Sequence, residues 1–359
     1  GGFTLRFPRR AYPDKIQPLH NYPRLLATFR QYGDWLELLE IDSVGSLNDA
    51  ILDGRIMEVV LVSESLHDLH ISRIAEQIVE QRGKVRVVLI AGPSSSGKTT
   101  SSKRLSIQLL AHGLQPFPLE LDNYFVDREQ TPLDEEGNYD FEHIDALDRA
   151  RLNMDIRRLI DGERVYLPKF DFISGRRIAG DEIQLQQDQI IILEGIHGLN
   201  PALLQEIPTE NTFRIYISAL TQLNLDRQNR VSTTDTRLLR RIVRDVNNRG
   251  YTPQETISRW ESVRLGEKRY IFPYQENADV MFNSALVYEL AALKPLVEPL
   301  LRQVPFGTPE HIEVKRLLAL LEWFLPIETD FVPDNSIIRE FVGGSILRDF
   351  KVWKNNQTR

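Results

Sequence analysis

An apolar run of strand length, Val85-Arg86-Val87-Val88-Leu89-Ile90-Ala91, leads directly into Gly92-Pro93-Ser94-Ser95-Ser96-Gly97-Lys98-Thr99. The second segment matches G-x-x-x-x-G-K-[ST], and a helical pattern over 99–112 follows it. A buried strand, a glycine loop and a helix in that order constrain the fold more than any other feature of the chain. Continuous apolar strands belong to parallel sheets covered on both faces. The loop also carries its own chemistry. Gly92 and Gly97 allow the backbone to bend so that its N–H groups point at phosphate. The helix that starts near Lys98 adds its positive end. Lys98 suits the β- and γ-phosphates, and the Thr99 hydroxyl suits Mg2+. The expected nucleotide contacts are Gly92, Ser94, Ser95, Ser96, Gly97, Lys98, Thr99 and Thr100.

The rest of 84–303 repeats the alternation. Strands are expected at 115–121, 164–168, 183–186, 190–193, 213–218 and 280–283. Helices are expected at 144–160, around 201–206, and over 220–247, 253–264 and 288–302. This predicts an α/β fold: a P-loop NTPase-type, mostly parallel sheet with helices on both faces. A small α+β module over 1–83 precedes it. There, Phe3, Leu5 and Phe7 alternate as in a strand, and Pro8, Pro13, Pro18 and Pro23 punctuate a loop-rich stretch. Helices are expected at 22–32, 45–53 and 66–81, a strand at 56–62, and another near 34–41. A helical extension over 304–359 follows, with a helix at 311–324.

Two carboxylates stand directly after predicted strands, where open parallel sheets place their ligands. Asp122 can accept a proton from an acceptor alcohol or hold the metal's water. Glu194, after Ile190-Ile191-Ile192-Leu193, has the pattern of an acid that organises Mg2+. A turn or rim acid is the plain alternative for each. Arg237, Arg240, Arg241 and Arg244 fall on one face of a predicted helix. Guanidinium groups match phosphate oxygens. The other reading is a solvated face balanced by Asp235 and Asp245.

These segments together resemble the uridine kinase branch of the phosphoribulokinase/uridine kinase family over about 84–303. The likeness rests on the phosphate loop, Leu121-Asp122-Asn123-Tyr124-Phe125, and Tyr139-Asp140-Phe141-Glu142-His143-Ile144-Asp145-Ala146. It extends through Leu167-Pro168-Lys169-Phe170-Asp171-Phe172, Leu193-Glu194-Gly195-Ile196, and the arginine helix from Thr236 to Asp245. It implies ATP- and Mg2+-dependent transfer of a phosphoryl group to the 5′-hydroxyl of a nucleoside. Asp122 would be the base, with Thr99, Asp122 and Glu194 around the metal. Tyr124 or Phe125 would lie near the nucleoside, and Phe141 and Glu142 would stand where the family has a Phe-Asp pair whose acid holds the ribose hydroxyls. Arg237 and Arg240 would be lid and substrate arginines, and Arg241 and Arg244 would contact the nucleotide.

Three positions depart from pyrimidine-specific relatives. Phe170 replaces a tyrosine, Gly175 a histidine, and Glu255 aligns near a glutamine. Fewer polar groups reject a wrong base less well. The resemblance therefore implies a nucleoside more firmly than uridine, with Arg176 or Arg177 as replacement contacts or, in the plain alternative, as surface arginines. Phosphoribulokinase- or pantothenate kinase-like acceptors are the alternatives within the kinase class. Gly2-Phe3-Thr4-Leu5 and His67-Asp68-Leu69-His70-Ile71-Ser72-Arg73-Ile74-Ala75 resemble the end of a threonyl-tRNA-synthetase-like region. Phe341-Val342-Gly343-Gly344-Ser345 resembles the same long bacterial proteins. With no cysteine and only His67 and His70 close together, no editing-type metal site is expected there.

A nucleotide-regulated RNA-binding protein is the reading from another class. The net charge of −7 opposes it, and Arg6, Arg9, Arg10 and Lys15 form the only basic cluster in 1–83. No segment reaches the roughly 20 apolar residues of a membrane helix. Residues 1–7 lack the apolar region of a signal peptide. The chain opens without methionine, which points to a fragment of a longer protein. Together these predict a cytoplasmic protein with a nucleoside substrate, no membrane and no nucleic-acid partner. The related kinases imply a homo-oligomer.

Overall fold

The computed structural model describes residues 6–8, 13–16, 21–134, 137–171, 174–226 and 228–350. Its centre is a five-stranded parallel sheet made of β1 (Val87–Ala91), β2 (Gln115–Glu120), β5 (Gln189–Glu194), β6 (Thr212–Ser218) and β7 (Val280–Asn283). The strand order is β2-β5-β1-β6-β7, so the strand that feeds the phosphate loop is central. β3 (Val165–Asp171) and β4 (Arg176–Ile183) form a separate antiparallel ribbon.

All five residues of β1 are buried, and their alternation divides two cores. Val88 and Ile90 face one apolar cluster; Val87 and Leu89 face the other. Each such side chain contributes about 1.5–3 kcal/mol by leaving water. The smaller cluster lies under α5 (Arg149–Ile160). The larger gathers α1 (Pro23–Leu38), α2 (Val44–Leu52), α3 (Ile56–Glu80), α4 (Lys98–Ala111), α6 (Thr233–Arg249), α9 (Glu289–Leu301) and α10 (Glu310–Glu322). It also takes Ile337, Ile338 and Phe341, on and beside the short α11 (Arg339–Val342). Residues before 84 and after 303 therefore share one core with the sheet. Among the described residues, no helix is long and apolar enough to cross a membrane.

Several expectations are corrected. Residues 56–62 are the first two turns of α3, not a strand. Their β-branched composition suggests a strand, but Ile56, Val59, Val60, Ser63 and His67 step along one buried helical face. α1 likewise continues to Leu38, so no strand forms near 34–41. No helix forms around 201–206. The side chain of Asn153 donates to the Leu203 carbonyl (2.9 Å) and accepts from the Glu206 amide (3.1 Å), so that backbone needs no helical partners. Residues 219–226 and 228–232 are irregular for a similar reason. Asn283 pairs with both the amide and the carbonyl of Leu220, at 2.8 and 3.0 Å.

The predicted helix over 144–160 is a 3-10 turn at Ile144–Ala146, then a break, then α5. Asp148 caps α5 by accepting from the Arg151 amide at 2.9 Å. The helix over 253–264 divides at Arg259 into α7 (Pro253–Ser258) and α8 (Trp260–Tyr270). β4 lies earlier than expected, over 176–183, because it zips against β3 from Asp171↔Arg176 onward. The strand reading at Phe3 and Leu5, with Gly2, Thr4, Arg9, Arg10, Pro18, His20 and Phe172, lies outside the described residues.

Candidate active site

The phosphate loop curls between the end of β1 and the start of α4. Ser95 and Gly97 both adopt left-handed backbone, with φ of +57° and +79°. Such reversals turn successive amides toward one concavity, which is an anion-binding shape. A Cβ on Gly92 would strike the Ile217 carbonyl of β6, so only glycine fits that close approach. Gly97 stands at the N-cap of α4 with no side chain of its own to cap the helix. Lys98 bends across the loop and donates to the carbonyls of Gly92 (2.9 Å) and Pro93 (3.0 Å). Burial lowers its pKa, and the charge of Glu194 partly offsets this.

β5 lies between β1 and β2 and carries Glu194 at its carboxyl end, in register with Ile90 and Glu120. The Thr99 hydroxyl donates to Glu194 Oε1 at 2.9 Å. Asp122 follows β2 on a 3-10 turn, Leu121–Tyr124. Burial raises the pKa of both carboxyls. Glu120 raises Asp122 further, and Lys98 lowers both. Thr99, Glu194 and Asp122 are hard oxygen donors of the type Mg2+ takes alongside substrate phosphates and water. Among the described residues, no group of three acidic or histidine side chains could hold a metal without such help.

The four arginines of α6 do share one face, but carboxylates already neutralise it. Arg237 is buried and pairs with Glu267 of α8 through both nitrogens, one contact at 2.8 Å. It also donates to the Ser94 carbonyl at 3.1 Å and lies 5.4 Å from the Trp260 ring. Arg240 is buried against Glu289 and donates to the carbonyls of Ser284 (2.9 Å) and Ser95 (3.4 Å). Expected as lid and substrate arginines, both are held in this structure by buried carboxylates and by carbonyls of the phosphate loop, because buried guanidiniums need fixed carboxylate partners. Arg241 donates to Ser94 Oγ at 2.8 Å, and Arg244 pairs with Asp245 at 3.0 Å. Asp235 faces away and holds Arg316 of α10.

A patch of aromatic rings gathers on Phe125, in the segment that follows Asp122. Phe125 meets Phe170 at 5.6 Å and Phe141 at 6.3 Å, both edge to face. The Phe170 amide donates to Asn123 Oδ1 at 3.2 Å. Tyr124, the alternative to Phe125, is fully buried in the smaller core, where its hydroxyl donates to Asp155 at 3.3 Å. Glu142 lies against the backbone of Gly266 in α8. Burial, with the charges of Asp140 and Glu267, pushes its carboxyl up to about 7.

Two residues with no sequence signal fix that loop. His197 Nε2 donates to the Glu142 carbonyl at 2.9 Å, and the Tyr270 hydroxyl donates to Asp140 at 2.7 Å. The Tyr270 ring stands between His143 and His197, 5.9 and 5.7 Å away.

Three other expected contacts are not gathered here. Glu255 accepts from the Thr252 amide and hydroxyl as the cap of α7, at 2.7 and 2.9 Å. Arg176 is exposed, 3.9 Å from Glu129. Arg177 is tied to Asp148 at 2.5 Å. Gly175 packs against Arg128, whose side chain fills the space a histidine would need. Besides His197 and Tyr270, the sequence did not announce Glu267, Glu289 and Glu340, which contact the arginines and the phosphate loop. For Glu267 and Glu289 the available signal was charge balance, since the buried Arg237 and Arg240 require acids from elsewhere.

A family model described as the phosphoribulokinase/uridine kinase family matches residues 87–291. A uridine kinase from Ligilactobacillus salivarius is 27% identical over 205 residues, covering 57% of this chain and 87% of that protein. One from Deinococcus deserti is 29% identical over 202 residues, with 55% and 88% covered. One from Chlamydia pneumoniae is 30% identical over 196 residues, with 54% and 80% covered. Residues 1–83, expected to resemble a threonyl-tRNA-synthetase-like region, lie outside the span of the family model, which does not show that likeness. That span is more than half of the chain and holds the phosphate loop, both strand-end carboxylates and the arginine helix, so the chain belongs to the phosphoribulokinase/uridine kinase family and is a phosphotransferase.

Proposed function

We propose that the protein transfers the γ-phosphoryl group of ATP to the 5′-hydroxyl of a nucleoside. The observation that carries this reading is Asp122. It sits at the end of β2 beside the Thr99–Glu194 pair, with a carboxyl that burial makes more basic. The relatives named uridine kinases support a nucleoside as the acceptor. In this reading Asp122 takes the proton of the acceptor hydroxyl. The hydroxyl oxygen then bonds to the γ-phosphorus as the bond to the β–γ bridging oxygen breaks, leaving ADP. Lys98 and the loop amides hold the phosphates, and Arg241 and Arg244 stand over Ser94 and Asp245 beside them. Thr99, Glu194 and Asp122 would hold Mg2+, which supplies charge stabilisation on the phosphates when bound.

Phe125, Phe141 and Phe170 offer the base apolar ring edges, and Glu142 offers the ribose hydroxyls a carboxylate. Phe170, the crowded Gly175 and the distant Glu255 supply no polar group to the base. The reading therefore includes broad base acceptance. A cytoplasmic setting and a homo-oligomeric state, as in related kinases, belong to the same proposal. The test is a coupled ADP-release assay with Mg-ATP against a panel of nucleosides, run alongside pantothenate and ribulose 5-phosphate. Turnover with nucleosides is expected, and Asp122→Asn should abolish it while nucleotide still binds. Turnover only with pantothenate or ribulose 5-phosphate, or near-normal rates in Asp122→Asn, would refute the assignment.

A further inference from the structure

The C-terminal extension touches the phosphate loop. Glu340 Oε2 accepts from the Thr100 hydroxyl at 2.7 Å and from the Thr100 amide at 3.3 Å. That amide is the third of the free donors at the start of α4. Ile337 sits over Gly97, its Cγ2 2.5 Å from where a Cβ would stand. The Phe341 ring lies 5.1 Å from the Arg240 guanidinium. Lys103, one turn along α4, donates to the carbonyls of Leu347 (2.6 Å) and Arg348 (2.9 Å). Ile337, Ile338 and Phe341 are fully buried, so the backbone of this segment is anchored. The Glu340 side chain itself is half-buried.

We propose that Glu340 acts as an internal competitor for the nucleotide. Its carboxylate occupies a donor site at the N-terminus of α4 that a nucleotide phosphate oxygen would use, so it sets the affinity for the donor. The physical basis is simple. The start of a helix holds a limited set of unpaired amides and a positive end, and both favour one anion at a time. Gly97 at the N-cap of α4 offers no side chain, and among the described residues the side chain that accepts from Thr100 comes from 240 residues downstream. The charge of Glu340 is also felt at Lys98 and Glu194, the groups that face the donor phosphates. A phosphate that enters must displace this carboxylate or bind beside it against like charge. Rotation of one side chain is enough to release Thr100, with no movement of the anchored backbone.

The inference rests on nucleotide binding at the phosphate loop and not on the identity of the acceptor. It is therefore tested by binding, separately from turnover. The dissociation constants of ATP, ADP and adenosine are measured by calorimetry for wild type, Glu340→Gln and Glu340→Ala. Both variants should bind ATP and ADP about three- to tenfold more tightly, the scale of an anion at a helix N-terminus. Adenosine, which has no phosphate, should bind each protein equally. Equal or weaker ATP and ADP binding by folded Glu340→Gln would overturn the proposal. An equal gain for adenosine would also overturn it, since that would mean the segment blocks the base and not the phosphates. Failure of every nucleoside as acceptor, with these affinity shifts intact, would refute the proposed function and leave this inference standing.

Discussion

Arg240→Ala separates a structural arginine from a catalytic one. The Arg240 side chain is 0% exposed and its partner Glu289 is 2% exposed. Removing the guanidinium leaves a buried carboxylate whose remaining donor is the Leu286 amide at 3.4 Å. Leaving one member of a buried pair alone costs about 3–5 kcal/mol. The lost contact with the Phe341 ring adds about 0.5–2 kcal/mol. The expected loss of stability is therefore about 3.5–7 kcal/mol at pH 8. It should depend on pH. Burial already raises the Glu289 carboxyl above the usual glutamate value, and Arg240 opposes that rise. Without Arg240 the folded pKa climbs further. Below the usual glutamate value the group is protonated in both folded and unfolded states and costs little. As pH rises through the folded pKa the penalty appears, so the variant should be closer to wild type at about pH 5 than at pH 8.

The assay is urea unfolding followed by tryptophan fluorescence at both pH values. Arg240→Met with Glu289→Leu, which removes both charges and keeps the volume, should recover most of the loss. Stability within about 1 kcal/mol of wild type at pH 8, together with a large fall in kcat, would refute the bracing role and restore Arg240 as a lid residue.

Two further outcomes follow from other positions. Glu142, raised to about 7 by burial and by Asp140 and Glu267, contributes stability that is complete below the usual glutamate value and is lost as pH rises through about 7. Glu142→Gln should flatten that part of a Tm-against-pH profile. If the ionised group holds ribose hydroxyls, KM for the nucleoside should fall in wild type as pH rises through 7. Gly97→Ala combines left-handed backbone with the 2.5 Å approach to Ile337 Cγ2. The backbone strain alone is about 1–2 kcal/mol. Nucleotide binding should weaken at least about tenfold, and adding Ile337→Ala should restore only the steric share; full restoration would mean that backbone strain contributes nothing.

Much of the site was legible because its residues follow strands directly. Glycine spacing, the position of Lys98 and Thr99, and acids just past apolar runs are local patterns, and the sheet carries local order into space. Periodicity failed where two periods compete. Ile56, Val59 and Val60 are β-branched, yet α3 forms because its buried face has the sheet and α4 to cover. It failed again where a distant side chain serves the backbone, as Asn153 does for Leu203 and Glu206 and Asn283 does for Leu220.

The sequence by itself determined the parallel α/β architecture, the phosphate loop and the strand-end acids Asp122 and Glu194. Those depend on spacing within one strand–loop–helix unit. Tertiary structure alone decided which charges meet. Arg237 finds Glu267 thirty residues on, Arg240 finds Glu289, and Thr100 finds Glu340 from the far end of the chain. Burial decides such pairs, because a guanidinium or a helix-end amide taken out of water must be matched by a carboxylate that the fold brings to it, wherever in the chain that carboxylate lies.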